Sequence, residues 1–447
     1  MNMQRKRIIF ILLILLTITL YGCQPEQTDI VGTQVNIFAF NDTHGAFNTD
    51  SNYTGIDKVD GVIASLEGAN GEYIKVANGD IFQGSYVSNK HHGLPLIEAL
   101  NEMEIDAFVI GNHEFDWGIE EIALYKDGNE ANGEADFDFL AANIVYKETN
   151  KNLSWTKDYV VVENNGYKVG IIGVIGEGLE SSIASDKVAA YRFLNPVPLV
   201  EELSEELRQE KKVDAVVVSI HGYDEYTNEK LAELDGNSRV DAIICGHTHQ
   251  KIETYEMRSD GYKVPIIQSD DKNDTVGEVI LTMENKKAVT GSIKHYDPSK
   301  YTATTRMKNI IDKYAATINE GETVVGYTPE SLSRNRIGSE ITLAMTEQYG
   351  CDVAVVNTGG VRNEISTGNI KVKNVFDVFP FDNIIIVTTI KGDKLKAMYE
   401  EQGSYLYFND FNFYNIDEFK TYSLVTIDYV FTSNYYTKYF SNSTPEY

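Results

Sequence analysis

Five short polar clusters combine residue types able to bind a metal ion: Asn41-Asp42-Thr43-His44, Asn78-Gly79-Asp80, Gly111-Asn112-His113-Glu114-Phe115-Asp116, His221, and Gly246-His247-Thr248-His249. Carboxylates hold or bridge hard cations, imidazoles suit zinc, iron or manganese, and an amide oxygen completes a shell without adding charge. Within the set Asp42, His44, Asp80, Asn112, His221, His247 and His249, one carboxylate can serve two ions at once. Two ions ~3.5–4 Å apart polarise an ester and bring the pKa of water near neutrality. Any one cluster alone is more often a turn, a cap or a hydrogen-bonded histidine. Chance is a poor account of all five, because five of the eight histidines fall within them.

Something must carry these clusters to one place. Each follows a short apolar run: Val35–Phe40, Tyr73–Ala77, Ala107–Ile110, Ala215–Ile220 and Ala242–Cys245, with Val169–Ile175 as a further run. Runs of this length read as strands, and the stretches between them, such as Leu94–Met103 and Leu199–Lys212, read as helices. A layered α/β domain results, and in open α/β sheets the loops at the carboxyl ends of the strands converge where ligands bind. His91, His92 and His295 fall outside the set and are expected in exposed loops. Cys245 and Cys351 are expected as small buried apolar side chains.

A second α/β pattern follows a boundary near residues 298–325. The spacing of Met307, Ile310, Ile311, Tyr314 and Ile318 predicts a linker helix over 299–325. Helix-like Ser339–Tyr349, strand-like Val353–Val356 and Asn383–Ile390, and a tyrosine-rich end make up residues 326–447. Asn357-Thr358-Gly359-Gly360-Val361-Arg362 places two glycines beside a strand end, where backbone can approach a ligand, and Arg362 offers a planar fork for phosphate or carboxylate. Phe381 lies in a Pro-Phe turn, where a place in the core is one reading.

With 447 residues, more than one domain is expected. Lys and Arg number 39 against 67 Asp and Glu, a net charge of −28, which offers no basic footprint for a polynucleotide. Three cysteines cannot build a disulfide framework. Arg5, Lys6 and Arg7 precede the apolar run Ile8–Leu20, which is too short to span a bilayer and reads as a signal segment over residues 1–22. Leu20-Tyr21-Gly22-Cys23 resembles a bacterial lipobox. That resemblance implies lipidation at Cys23, a tether over 23–33, and an extracytoplasmic protein held at the bacterial cell membrane through its lipid anchor only.

The ordered clusters resemble the calcineurin-like metallophosphoesterase signature. The extension to Phe115-Asp116, with Gly84 after Asp80, resembles the secreted 5'-nucleotidase branch, as do Asn357–Arg362 and the Pro-Phe turn Phe379-Pro380-Phe381-Asp382-Asn383. The resemblance implies a four-layer αββα sandwich over 34–298 and a smaller α/β nucleotide-binding domain over 326–447. It further implies that Asp42, His44 and His249 hold one divalent ion, and that Asn112, His221 and His247 hold a second. Asp80 would bridge them, and His113 with Asp116 would form a dyad near the phosphate. The ions could be Mn, Zn, Co, Fe or Mg. Asn357, Gly359, Gly360, Arg362 and Phe381 would bind a nucleotide.

Two segments depart from the family pattern. An arginine is expected shortly before the helix near Gly338, and Arg334 and Arg336 both lie close by. The strand-like Tyr422–Phe431 is followed by Thr432–Tyr436 where a Gly-Gly-Asp-Gly-aromatic segment belongs, leaving Tyr435 or Tyr436 either as the second base-stacking aromatic or as edge packing. The implied reaction is hydrolysis of a nucleoside 5'-monophosphate. A 2',3'-cyclic nucleotide, a nucleotide sugar or a dinucleotide pyrophosphate is the alternative substrate, and a non-catalytic surface binding protein is the reading of another class.

Overall fold

A strand sends successive side chains to opposite faces of its sheet, so a strand apolar on both faces must be covered twice. Val35, Ile37 and Ala39 alternate with Phe38 and Phe40, and Ala107 and Val109 alternate with Phe108 and Ile110, and all are buried. A computed structural model describes residues 32–50, 53–440 and 443, which leaves Cys23, the signal segment and most of the tether outside the described residues. The first sheet runs in the order Lys287–Tyr296, Val276–Glu284, Thr33–Phe40, Ile74–Asn78, Ala107–Val109 and Asp138–Leu140. Its last four strands are parallel.

On one face of that sheet, Phe38, Phe40 and Phe108 pack with Val59, Val62, Leu96, Leu100, Met307 and Ile310 from three helices, Ile56–Asn70, Leu94–Glu102 and Thr305–Lys313. On the other face, Val35, Ile37, Val76 and Val109 join Ile171, Val216, Val218 and Ile243 of a second sheet. That sheet runs Ile252–Met257, Lys263–Gln268, Ala242–Ile244, Ala215–His221, Tyr167–Ile175 and Tyr159–Asn164. Val200, Leu203 and Leu231, from helices Pro196–Glu206 and Glu225–Glu233, close its cluster. Helix, sheet, sheet and helix thus form four layers. Five of the parallel strands, Thr33–Phe40, Ile74–Asn78 and Ala107–Val109 in the first sheet and Ala215–His221 and Ala242–Ile244 in the second, end at the polar clusters.

The described residues from Gln34 onward form one compact unit. The segment expected as a single linker helix is two, Thr305–Lys313 and Ala315–Gly321, broken at Tyr314, whose backbone (φ −99°, ψ 9°) leaves the helical range. Met307, Ile310 and Tyr314 are buried in the first core, and Arg306 pairs with buried Asp60 at 3.0 Å. Beyond them, a sheet ordered Ile385–Lys391, Thr421–Ile427, Val353–Asn357 and Leu406–Phe408 packs on helices Arg334–Tyr349 and Gly392–Gln402.

Four further expectations change. The helix expected from Ser339 begins at Arg334, because the Ser333 hydroxyl accepts the Arg336 N–H and caps it. The strand expected over Tyr422–Phe431 ends at Ile427, and Asp428–Thr432 turns into a short helix. His295 lies in strand Lys287–Tyr296 with its side chain only 3% exposed, and His91 packs edge-on against Tyr314 and reaches Thr317 Oγ1 at 3.0 Å, so neither is an exposed loop residue. Cys245 is fully buried, and burial pushes its thiol up to about 12. No helix among the described residues is long and apolar enough to cross a membrane.

Candidate metal centre and substrate cavity

The strand ends turn sharply, and the turning residues are the polar ones. Asp42, His44, Asp80, His247 and His249 all adopt positive φ, between 47° and 77°, a region costly for residues with a Cβ. Strain of this kind persists only where the surroundings hold it, and it gathers at functional sites. Gly79 (φ 76°) is required on two counts, since a Cβ there would sit 2.4 Å from His221 Nδ1. A Cβ on Gly111 would meet Asp80 Oδ1 at the same distance.

These turns bring three overlapping groups of ligand atoms within 4.8 Å of one another: Asp42, His44 and His249; His44, Asp80 and His113; and Asp80, His221 and His247. His44 Nε2 and His249 Nε2 are 2.9 Å apart, and Asp42 Oδ1 lies 3.9 and 3.5 Å from them. His221 Nε2 is 3.1 Å from Asp80 Oδ2, and Asn112 Oδ1 lies 3.2 Å from that nitrogen and 2.8 Å from His247 Nδ1. Asp42 Oδ1 and Asp80 Oδ2 are buried and accept no hydrogen bond. A buried carboxylate oxygen without a donor is costly, and these two face imidazole nitrogens, which are themselves lone-pair donors to cations. The residues therefore fit a pair of divalent ions.

The other atoms of these side chains are tied down. Asp42 Oδ2 accepts from Asn41 Nδ2 (2.6 Å) and the His247 N–H (2.8 Å), and Asp80 Oδ1 accepts the His113 N–H (2.8 Å). His221 Nδ1 is 2.8 Å from the Asn78 carbonyl, which turns Nε2 toward the centre. Glu114, a residue whose role the motif alone does not disclose, is fully buried and accepts the N–H groups of Gly111, Asp80 and Ile81 at 2.8–2.9 Å. Burial and the Asp80 charge push its carboxyl up to about 7. Burial would also raise the pKa of Asp80, but the charges of His221 and His113 outweigh it and hold the carboxyl well below the usual range.

His113 Nδ1 lies 2.7 Å from Asp116 Oδ2. Burial acts to lower the imidazole pKa, and the Asp116 and Asp80 carboxylates overcome it, so the proton is held above the ordinary value. Next to this dyad opens a cavity of about 240 Å³. One wall is Asn112, His113, Asp116 and His247, and the other is Asn357, Gly359, Gly360, Arg362 and Phe381. Phe381 stacks over His113 with ring centroids 5.8 Å apart, and Arg362 Nη2 is 3.4 Å from His44 Nε2. Burial lowers the arginine pKa, while Asp80 and Asp116 act to raise it.

Two expected substrate residues lie elsewhere. Arg334 donates to the carbonyls of Val361 (2.6 Å) and Thr358 (3.3 Å), so it braces the glycine loop and does not line the cavity. Tyr435 is half exposed and its hydroxyl is 2.9 Å from Ser181 Oγ, while Tyr436 is buried in the core. Tyr429 lines the cavity instead, together with Trp117, Lys187 and Asp428. The signal for Tyr429 was Asp428, an acidic residue suited to the first turn of a helix and poorly suited to a strand interior.

The calcineurin-like phosphoesterase family model matches residues 35–251, and that of the 5'-nucleotidase C-terminal domain matches 315–417. The chain belongs to the family that joins these two domains. Relatives include the cell wall protein Lmo0130 of Listeria monocytogenes, 26% identical over 442 residues with 82% of this chain and 56% of that protein covered. An apyrase of Tabanus yao is 29% identical, with 75% and 64% covered. The chain spans from a quarter to under two thirds of the length of several such relatives. A 5'-nucleotidase precursor from Thermus thermophilus has the same fold, with a TM-score of 0.78 at 22% identity and 93% of each chain covered.

Proposed function

We propose that the chain is a dimetal hydrolase that removes phosphate from nucleoside 5'-monophosphates outside the cytoplasm. The observation that carries this reading is the single cavity with metal-centre residues on one wall and Arg362 and Phe381 on the other. One ion would be held by Asp42, His44 and His249, the other by Asn112, His221 and His247, with Asp80 between them. When bound, the ions would polarise the phosphoryl oxygens and supply a water nucleophile near neutral pH.

The protein's own groups do the rest. Arg362 reaches the centre from the second half of the chain and clamps phosphate oxygens with a fork of N–H donors. Asp116 fixes His113 with Nε2 free, so the imidazole holds a proton for the leaving ribose oxygen. Phe381 and Tyr429 offer faces for the base, and stacking tolerates any base because each has a π-face. Asn357 and the Gly359-Gly360 turn bring backbone to the nucleoside.

Turnover of a panel of nucleoside 5'-monophosphates, 2',3'-cyclic nucleotides, nucleotide sugars and dinucleotides by metal-reconstituted protein tests the reading. Fastest kcat/KM on a 5'-monophosphate is expected, and a faster pyrophosphate or cyclic substrate would replace it. The lipid anchor has its own test: palmitate label should enter the wild type and be absent from Cys23→Ala, and equal labelling would end that part of the proposal.

A further inference from the structure

Phe381 follows Pro380, and the carbonyl of Pro380 accepts two side-chain hydrogen bonds from the metal-bearing half of the chain, from Gln83 Nε2 at 3.0 Å and from Asn89 Nδ2 at 2.6 Å. Gln83 is 1% exposed, and its Oε1 accepts nothing. Burying an amide for a single hydrogen bond is a poor source of stability, because the unpaired oxygen loses its water. Asn89 uses both ends of its amide, taking the Gly84 N–H on Oδ1 at 2.8 Å while donating to Pro380. Gly84 in turn packs so closely on the His44 backbone that a Cβ would lie 2.2 Å from the His44 carbonyl oxygen.

Gln83 comes three residues after Asp80, in the same turn. Gln83 is therefore on the loop that carries one metal-binding carboxylate and rests against a metal-binding histidine, Asn89 is on the short helix Tyr86–Lys90 that follows this loop, and the acceptor is one peptide from the ring that stacks over His113. We propose that Gln83 and Asn89 are positioning residues that set the span between the scissile phosphate and the base, by pinning the Pro380 carbonyl to the metal-centre loop. The inference rests on the functional reading above. It predicts that substrates engaging both ends of the cavity depend on the two amides and that substrates engaging only the metal end do not.

Asn89→Asp keeps the acceptor for the Gly84 N–H and replaces the donor to Pro380 with an oxygen. Gln83→Met removes the other donor at similar volume and without charge, so an effect of added charge alone would appear only in Asn89→Asp. For each variant, kcat/KM for AMP is expected to fall at least fivefold, while kcat/KM for a small aryl phosphate stays within twofold. Adenosine, which engages only the base end, and inorganic phosphate, which engages only the metal end, should both inhibit unchanged, and an adenosine loss equal to the AMP loss would place the damage in the base site and overturn the span. A merely structural role would lower both substrates together, and that result would overturn the inference, as would an unchanged AMP to aryl-phosphate ratio. Should one variant fail to fold, the other decides by the same ratio. Wild-type protein inactive on every nucleoside monophosphate would overturn the functional reading itself, whereas an active wild type with unaltered variants would overturn only the positioning role.

Discussion

If Asp116 acts by holding His113, its loss should be felt only while the histidine is present. The contact is a 2.7 Å hydrogen bond between side chains 11% and 14% exposed, so it is charge-assisted and largely shielded from water. Hydrogen bonds to charged groups contribute ~1.5–3 kcal/mol. At ~1.36 kcal/mol per decade this corresponds to roughly 10–150-fold in rate. Asp116→Ala should therefore lower kcat on AMP by that factor, because a leaving ribose oxygen needs a proton that a leaving aryloxide does not. His113→Ala should cost more, about 10²–10⁴-fold, the range for a lost general acid. In His113→Ala, removing Asp116 as well should change the rate by less than twofold, because the two act as a unit. Steady-state kinetics of the four proteins, each with its metal content measured, make the test. Multiplicative losses would refute the dyad, as would an Asp116→Ala enzyme within twofold of wild type.

Asp80→Asn should lose bound metal and turnover together, because one carboxylate serves both ions; two tightly bound ions per chain by elemental analysis would count against the bridging role. Tyr429→Ala should weaken AMP by ~5–150-fold in kcat/KM, from ~1–3 kcal/mol of stacking, whereas Tyr435→Ala, whose ring is half exposed beside Ser181, should stay within twofold; the opposite order would restore Tyr435 to the cavity. Gly79→Ala should destabilise the protein by at least about 2 kcal/mol in denaturant unfolding, since it adds a left-handed Cβ and an overlap with His221. Gly71→Ala, with φ 87° and open space around it, should lose less, and equal losses would show that the close approach to His221 carries no weight.

Much of this site was legible in the residues themselves. Apolar runs of strand length ending in Asp, His and Asn announce their own geometry, because a parallel sheet sends every carboxyl end to one edge. That rule gathers Asp42, His44, Asp80 and Asn112 at the end of one sheet and His221, His247 and His249 at the end of the other, and the face-to-face packing of the two sheets then joins the two sets. The pairing of His113 with Asp116 was equally local, since three residues in a tight helical turn place two side chains on one face.

What only the tertiary structure decided lies where local sequence is ambiguous or the contacts are distant. Tyr422–Phe431 is apolar enough for a strand except at Asp428, and its end at Ile427 coincides with the end of its pairing to the neighbouring strand Ile385–Lys391, whose register with it runs from Ile385 opposite Ile427 to Lys391 opposite Thr421. That early end is what moves Tyr429 to the cavity and Tyr435 away from it. Arg334 could not be read as a brace, because its partners are backbone carbonyls 24 and 27 residues away, and carbonyls leave no mark in the sequence. Gln83 and Asn89 meet Pro380 across nearly 300 residues for the same reason. Residue types announce chemistry when the chemistry is in the side chain; where one partner is the backbone, only the folded chain shows the bond.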